Sequence, residues 1–111
     1  MTEVTRAIVR PPSATFADGL TTAGLGPPDL DLARRQHDAY CRALVDAGVE
    51  LVVLEPDDRF PDSTFVEDTA VVTPRGVVVT RPGAPSRAGE SVAMPEVLAR
   101  LGAPVATIEA P

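Results

Sequence analysis

Apolar and polar positions alternate along residues 5–10 (TRAIVR), the period of a strand with one covered face. Pro11-Pro12 ends the run, because proline cannot donate to a ladder. From 11 to 28 (PPSATFADGLTTAGLGPP) no apolar period survives, so a long loop is expected; inside a compact domain a loop of this length usually carries function. Pro27-Pro28-Asp29 then reads as a helix entry with Asp29 as its N-cap. Leu32, Gln36, Tyr40, Leu44 and Ala47 return at three- or four-residue steps, which predicts a helix over 29–47 closed by Gly48. Residues 49–54 (VELVVL) are almost wholly apolar, the pattern of a strand covered on both faces.

The second half repeats some of this order. After a turn-rich stretch over 55–60, PDSTFVED (61–68) leads into two β-branched runs, 69–73 and 76–80, joined by Thr73-Pro74-Arg75-Gly76 as a hairpin. Residues 81–87 are irregular. A second helix is expected over 89–101 on Val92, Val97, Leu98 and Leu101, or from Pro95 if proline takes the first turn. Residues 103–109 form the last strand. ALVDAGVELVVLEP (43–56) and VLARLGAPVATIEAP (97–111) both run from helix end to glycine to apolar strand to glutamate and proline, either a repeated supersecondary unit or the helix–glycine–strand order common to α/β chains. The first copy continues into PDSTFVED and the second stops at Pro111, which predicts a chain cut from a longer one.

Composition narrows the class. Hydrophobic residues make up 44% of the 111 positions but aromatics only 4%, with no Trp, so Ala and Val must fill the interior. Ten basic against 16 acidic residues give a net charge of -6, no footprint for a nucleic-acid partner. The longest apolar runs fall far short of the roughly 18 residues of a membrane span. No basic segment followed by an apolar stretch opens the chain, so a cytoplasmic setting is expected. One Cys and one His support neither a disulfide framework nor a histidine-rich metal site, and no metal or cofactor is implied.

Candidate chemistry centres on PDSTFVED, with three carboxylates in seven residues at the entry to a strand. If the segment is extended, Asp62, Thr64, Val66 and Asp68 share one face, and Phe65 and Glu67 the other. A carboxylate brought close to a buried sheet must be paired, hydrogen-bonded or protonated. The cluster is either a solvated acidic loop or a seat for a planar cation, most naturally a guanidinium, whose fork of N–H donors matches a carboxylate. Arg81 and Arg87 bracket the proline-stiffened RPGAPSR and are either surface charges or a clamp for a substrate carboxylate. The 11–28 loop, hinged at Gly19, Gly24 and Gly26 and carrying Phe16 and Leu20, reads as a lid or as a linker. His37 and Cys41 lie one helical turn apart, but a helix interior offers a thiolate neither an oxyanion hole nor free N–H groups, so they are not expected to be catalytic.

FPDSTFVEDTAVV followed by TRPGAPSR resembles the dimethylarginine dimethylaminohydrolases, which belong with arginine deiminases and amidinotransferases to the guanidine-modifying superfamily. LARRQHDAY and the AIVR opening fit the same family, so the resemblance covers essentially all 111 residues. Arginine deiminases carry asparagine and arginine where this chain has Asp62 and Glu67. The resemblance implies an α/β fold, a partial α/β propeller (pentein) comprising about the first two of five ββαβ modules, with 1–111 as the N-terminal part of one hydrolase domain and 11–28 as its lid. It implies hydrolysis of methylated arginine to citrulline and a methylamine through a thiouronium intermediate on a cysteine. Asp68 with Glu67 would hold the substrate guanidinium, Asp62 and Arg87 its amino-acid end, and Leu20 would belong to the lid. The family's general-acid histidine and nucleophilic cysteine have no match here, so the chain alone is expected to be inactive. Two alternatives stay open: a deiminase-like enzyme on another guanidine, or a non-catalytic domain that binds guanidines or a protein. The oligomeric state is left open.

Overall fold

The structure, a computed structural model, describes residues 4–21 and 24–109. Thr22 and Ala23, within the expected lid, and Ala110 and Pro111, at the end of the second repeat copy, lie outside the described residues. The chain divides into two compact units, Met1–Thr64 and Phe65–Pro111.

In the first unit β1 (Arg6–Val9) pairs in parallel with β2 (Glu50–Val53), Arg6 opposite Glu50 and Val9 opposite Val53. Parallel neighbours need a crossover, and α1 (Leu30–Asp46) supplies it, packing on β2. Asp29 is the N-cap, its Oδ1 accepting the Leu32 N–H at 3.0 Å. At the other end Val49 N–H reaches Leu44 O at 3.0 Å and Gly48 N–H reaches Val45 O at 2.9 Å, with Gly48 at φ +89. That is a left-handed cap, which glycine adopts without a Cβ penalty.

Two sequence expectations are corrected in this unit. The half-buried stripe of α1 is Leu30, Ala33, His37, Cys41 and Leu44, whereas Leu32, Gln36, Tyr40 and Ala47 are exposed. The period is helical as expected, but of the five expected positions Leu44 alone lies on the covered face. Nor is β2 covered on both faces, since Val53 is 58% exposed.

In the second unit β3 (Ala70–Thr73), β4 (Gly76–Val79) and β5 (Val105–Thr107) form a sheet in the order β3-β4-β5, antiparallel and then parallel. The hairpin falls where expected. Gly76, at φ +145, has no room for a side chain: a Cβ there would stand 2.6 Å from Pro104 O, the acceptor of the Val77 N–H. Val77, Val79, Met94 and Leu98 make the apolar core of this unit, Met94 and Leu98 from α2 (Met94–Arg100).

The expected 89–101 helix is two elements: a 3-10 turn over Pro85–Ser91, then α2 with Pro95 in its first turn. Val92, placed on its apolar face, lies between them and is 78% exposed. The extended reading of 61–68 is also corrected. The chain turns at 61–64 and then forms a 3-10 turn over Val66–Thr69, closed by Asp68 N–H to Phe65 O at 3.0 Å and Thr69 Oγ1 to Val66 O at 2.6 Å. Short polar side chains here bond local carbonyls, an alternative to a ladder.

The repeat read from the sequence corresponds to a shared topology. β1-α1-β2 and β4-α2-β5 each carry a helix into a positive-φ glycine, Gly48 or Gly102, and on into a parallel strand. With the antiparallel β3 in front, the second unit holds all four parts of a ββαβ module, and the described part of the first holds three.

Candidate functional site

The five residues singled out from the sequence fall into two groups, one in each unit. In the first, Asp62 is buried and its Oδ2 accepts the Leu20 N–H at 3.0 Å. The backbone reaches it through the 3-10 turn Phe16–Asp18, which Gly19 N–H closes on Phe16 O at 3.1 Å. A Cβ at Gly19 would lie 2.4 Å from Asp62 Oδ1, so the carboxylate rests directly against bare backbone. The rest of the 57–64 segment ties down the start of the long loop. Asp58 Oδ1 accepts the Ala14 N–H at 2.9 Å, Thr15 Oγ1 donates to Asp58 O at 2.9 Å, and Thr64 Oγ1 donates to Arg10 O at 2.8 Å. Ser13 is fully buried in this polar mesh. Leu20 itself is 60% exposed, its backbone held and its side chain outward.

In the second unit Arg87 joins two carboxylates. Its Nε and Nη2 donate to Glu90 Oε2 and Oε1, both at 2.9 Å, and its Nη1 donates to Asp68 Oδ2 at 2.7 Å. Nη2 also lies 3.4 Å from Phe65 O. Side-chain exposure grades along this chain from 2% at Glu90 through 15% at Arg87 to 50% at Asp68. The guanidinium is held above its usual range, first by the Glu90 bond and then, against burial, by Asp68. The Asp68 backbone is fixed in turn, its carbonyl accepting from Thr80 Oγ1 at 2.6 Å. Glu67, the fifth residue, is exposed.

Asp68 and Arg87 are thus brought together, and a carboxylate of PDSTFVED does receive a guanidinium, here the chain's own. Glu90 was missed. The only sequence signal was its place three residues after Arg87, and that spacing means contact only once 85–91 is known to be a 3-10 turn, in which residues i and i+3 eclipse. Among the described residues no three His, Cys, Asp or Glu side chains gather as a metal site requires.

The His37–Cys41 pair behaves as its position in a helix suggests. Sγ and Nδ1 stand 3.6 Å apart, and burial, followed by the Asp38 charge, pushes the thiol up from its ordinary value. Burial likewise holds the imidazole down despite Asp38. A protonated thiol beside a neutral imidazole is a poor nucleophile.

No protein-family model matches the chain. Solved structures define its class. The N-terminal domain of ArgZ, described as a cyanobacterial arginine dihydrolase, superposes with TM-score 0.81 at 17% identity, covering 96% of this chain and 40% of that one. At that identity the likeness speaks for fold alone: a mixed α/β architecture of the pentein propellers, of which this chain covers a part. A dimethylarginine dimethylaminohydrolase from Pseudomonas aeruginosa, solved as a cysteine-to-serine mutant complexed with citrulline, superposes with TM-score 0.93 at 46% identity, covering 99% of this chain and 44% of that one. The curated enzyme of that name from Pseudomonas aeruginosa is 48% identical over 105 residues, 94% of this chain and 41% of its own length. Its namesake from Streptomyces coelicolor is 45% identical over 101 residues, 90% of this chain and 39% of its own. The chain belongs to the dimethylarginine dimethylaminohydrolase family and matches the N-terminal portion of longer members. It spans about two fifths of the length of the curated relatives it matches.

Proposed function

We propose that these 111 residues furnish the substrate-gripping part of a hydrolase that converts N-methylated arginine to citrulline and a methylamine. One observation carries the reading above the rest, the TM-score of 0.93 over 99% of the chain against a dimethylarginine dimethylaminohydrolase complexed with citrulline. In this proposal Asp68 and Glu67 receive the substrate guanidinium. Asp62 faces the ammonium of its amino-acid end, and Arg87 lends positive charge toward its carboxylate. Leu20 sits on a lid formed by residues 11–28, whose backbone the Asp62 carboxylate holds at Leu20. The Arg87–Asp68 bond supports the first assignment, since it presents a carboxylate of this segment in a geometry a guanidinium accepts. The substrate is a small molecule and the setting cytoplasmic.

The covalent step belongs to a cysteine outside this chain. Attack of a thiolate on the guanidine carbon expels the methylamine and leaves a thiouronium, which water converts to citrulline and free thiol. Cys41 has neither the ionisation nor the setting for that attack. The test pairs binding with turnover. Titrating the isotope-labelled chain with dimethylarginine is expected to shift the amide resonances around Asp62 and Asp68, and arginine and agmatine to shift them less. The chain alone is expected to release no citrulline. Unshifted resonances overturn the binding role, and release of dimethylamine by the purified chain overturns the division of labour.

A further inference from the structure

Glu90 is the least exposed charged side chain of the second unit's site, at 2%, and nothing assigned to the site so far accounts for it. A carboxylate removed from water is costly unless it is both paired and hydrogen-bonded. Glu90 meets both conditions with Arg87 alone. Its two oxygens take Nε and Nη2 in a fork-to-fork pair, and two parallel bonds fix a planar group in position and in orientation. The third nitrogen, Nη1, then has no freedom to choose its direction, and it points at Asp68 Oδ2. The local backbone enforces this. Residues 87 and 90 stack in the 3-10 turn Pro85–Ser91, started by Arg87 N–H to Ala84 O at 2.9 Å.

We infer that Glu90 is a positioning residue: by clamping one edge of the Arg87 guanidinium it aims the other edge at Asp68, and so sets the plane in which the Asp68 carboxylate meets a cationic ligand. The inference rests on the proposed role of Asp68 in binding guanidines. Arg87 takes one oxygen of a half-exposed carboxylate, and in this reading the exposed side of that carboxylate receives the ligand. A lysine at 87 could carry the charge but could not transmit orientation, since an ammonium has no plane.

Two measurements on the 111-residue chain test this. The first follows the Arg87 Nε–H resonance. A clamped guanidinium gives a resolved signal that exchanges slowly with water; Glu90→Gln, which puts an amide donor opposite an arginine donor, is expected to collapse it, and Glu90→Asp to restore it in part. The second measures the affinity for dimethylarginine in a double-mutant cycle with Arg87→Lys. Glu90→Gln is expected to weaken binding roughly tenfold, the scale of one charge-assisted hydrogen bond, in the arginine background and to have no effect in the lysine background. If Glu90→Gln gives no native circular dichroism, Glu90→Asp takes its place in both measurements. An unchanged Nε–H signal, or an equal loss of affinity in both backgrounds, overturns the inference. If dimethylarginine fails to bind the wild-type chain the proposed function falls, and the Nε–H signal still decides whether Glu90 aims Arg87.

Discussion

One hydrogen atom decides how Asp62 sits. Gly19 has an ordinary negative φ of -66, so conformational freedom is not what glycine supplies there; it supplies room. Gly19→Ala sets a methyl 2.4 Å from Asp62 Oδ1, and either the carboxylate leaves the Leu20 N–H or the loop moves away. The expected loss is about 1–3 kcal/mol in urea unfolding, the usual range for overpacking, with faster exchange of the Leu20 amide. Histidine gives a second residue-scale outcome. Because burial lowers the His37 pKa in the folded chain, the unfolded chain binds the proton more readily. Its contribution is therefore complete above the ordinary value of 6.5 and is lost as pH falls below it. Between about pH 5 and 7 stability is expected to rise with pH, and His37→Gln to flatten that slope in thermal melts. Asp68 and Arg87 were legible as single letters because a carboxylate-rich motif and a proline-stiffened arginine are visible in any alphabet. Glu90 was not, since its meaning depends on an eclipsed turn that RAGES does not announce.

At the scale of elements, Gly48 and Gly76 separate two uses of the same residue. Gly48 stands at φ +89 with nothing within 4 Å of where a Cβ would go, so Gly48→Ala incurs backbone strain alone, about 1 kcal/mol. Gly76→Ala adds a collision with Pro104 O at 2.6 Å and is expected to lower the melting temperature by clearly more than Gly48→Ala in the same buffer. Equal shifts would show that the β4–β5 edge yields to the methyl. The helix cap at Asp29, the glycine terminators and the Pro74-Arg75 turn could be read because each is a local rule satisfied by one or two side chains. The 3-10 turns over Val66–Thr69 and Pro85–Ser91 could not, because they are fixed by backbone bonds and by partners up to 19 residues away, as Arg87 is from Asp68. The face of α1 was misjudged for a related reason. Three- and four-residue steps run along more than one line of a helix, and the line through Leu30, Ala33, His37, Cys41 and Leu44 is the half-buried one.

Across the whole molecule the interior is unevenly apolar. Val9 and Pro12 are the buried apolar side chains of the first unit among those described, and its other buried residues, Ser13, Asp62 and Ser63, are polar. The second unit buries Val77, Val79, Met94 and Leu98. Amide exchange in the intact chain is accordingly expected to be slower in β4 and α2 than in β1 and β2, since the least stable parts of a fold are those with the least apolar burial. Protection equal across both units would mean that the polar mesh around Asp62 contributes as much as a hydrocarbon core. The expectation that Ala and Val fill the interior holds for Val alone: no Ala is buried among the described residues, and Met94 and Leu98 share the core with Val77 and Val79. The resemblance supplied the family, but the division into two units and the polar character of the first emerged only from the folded arrangement.

Electrolyte reaches only one end of the run from Glu90 to Asp68, because the inner carboxylate is shut away and the outer one is half in water. If Asp68 receives a cation as proposed, raising ionic strength is expected to blunt the pull on it while leaving unchanged the angle at which it is received, attraction and alignment then resting on two different acids.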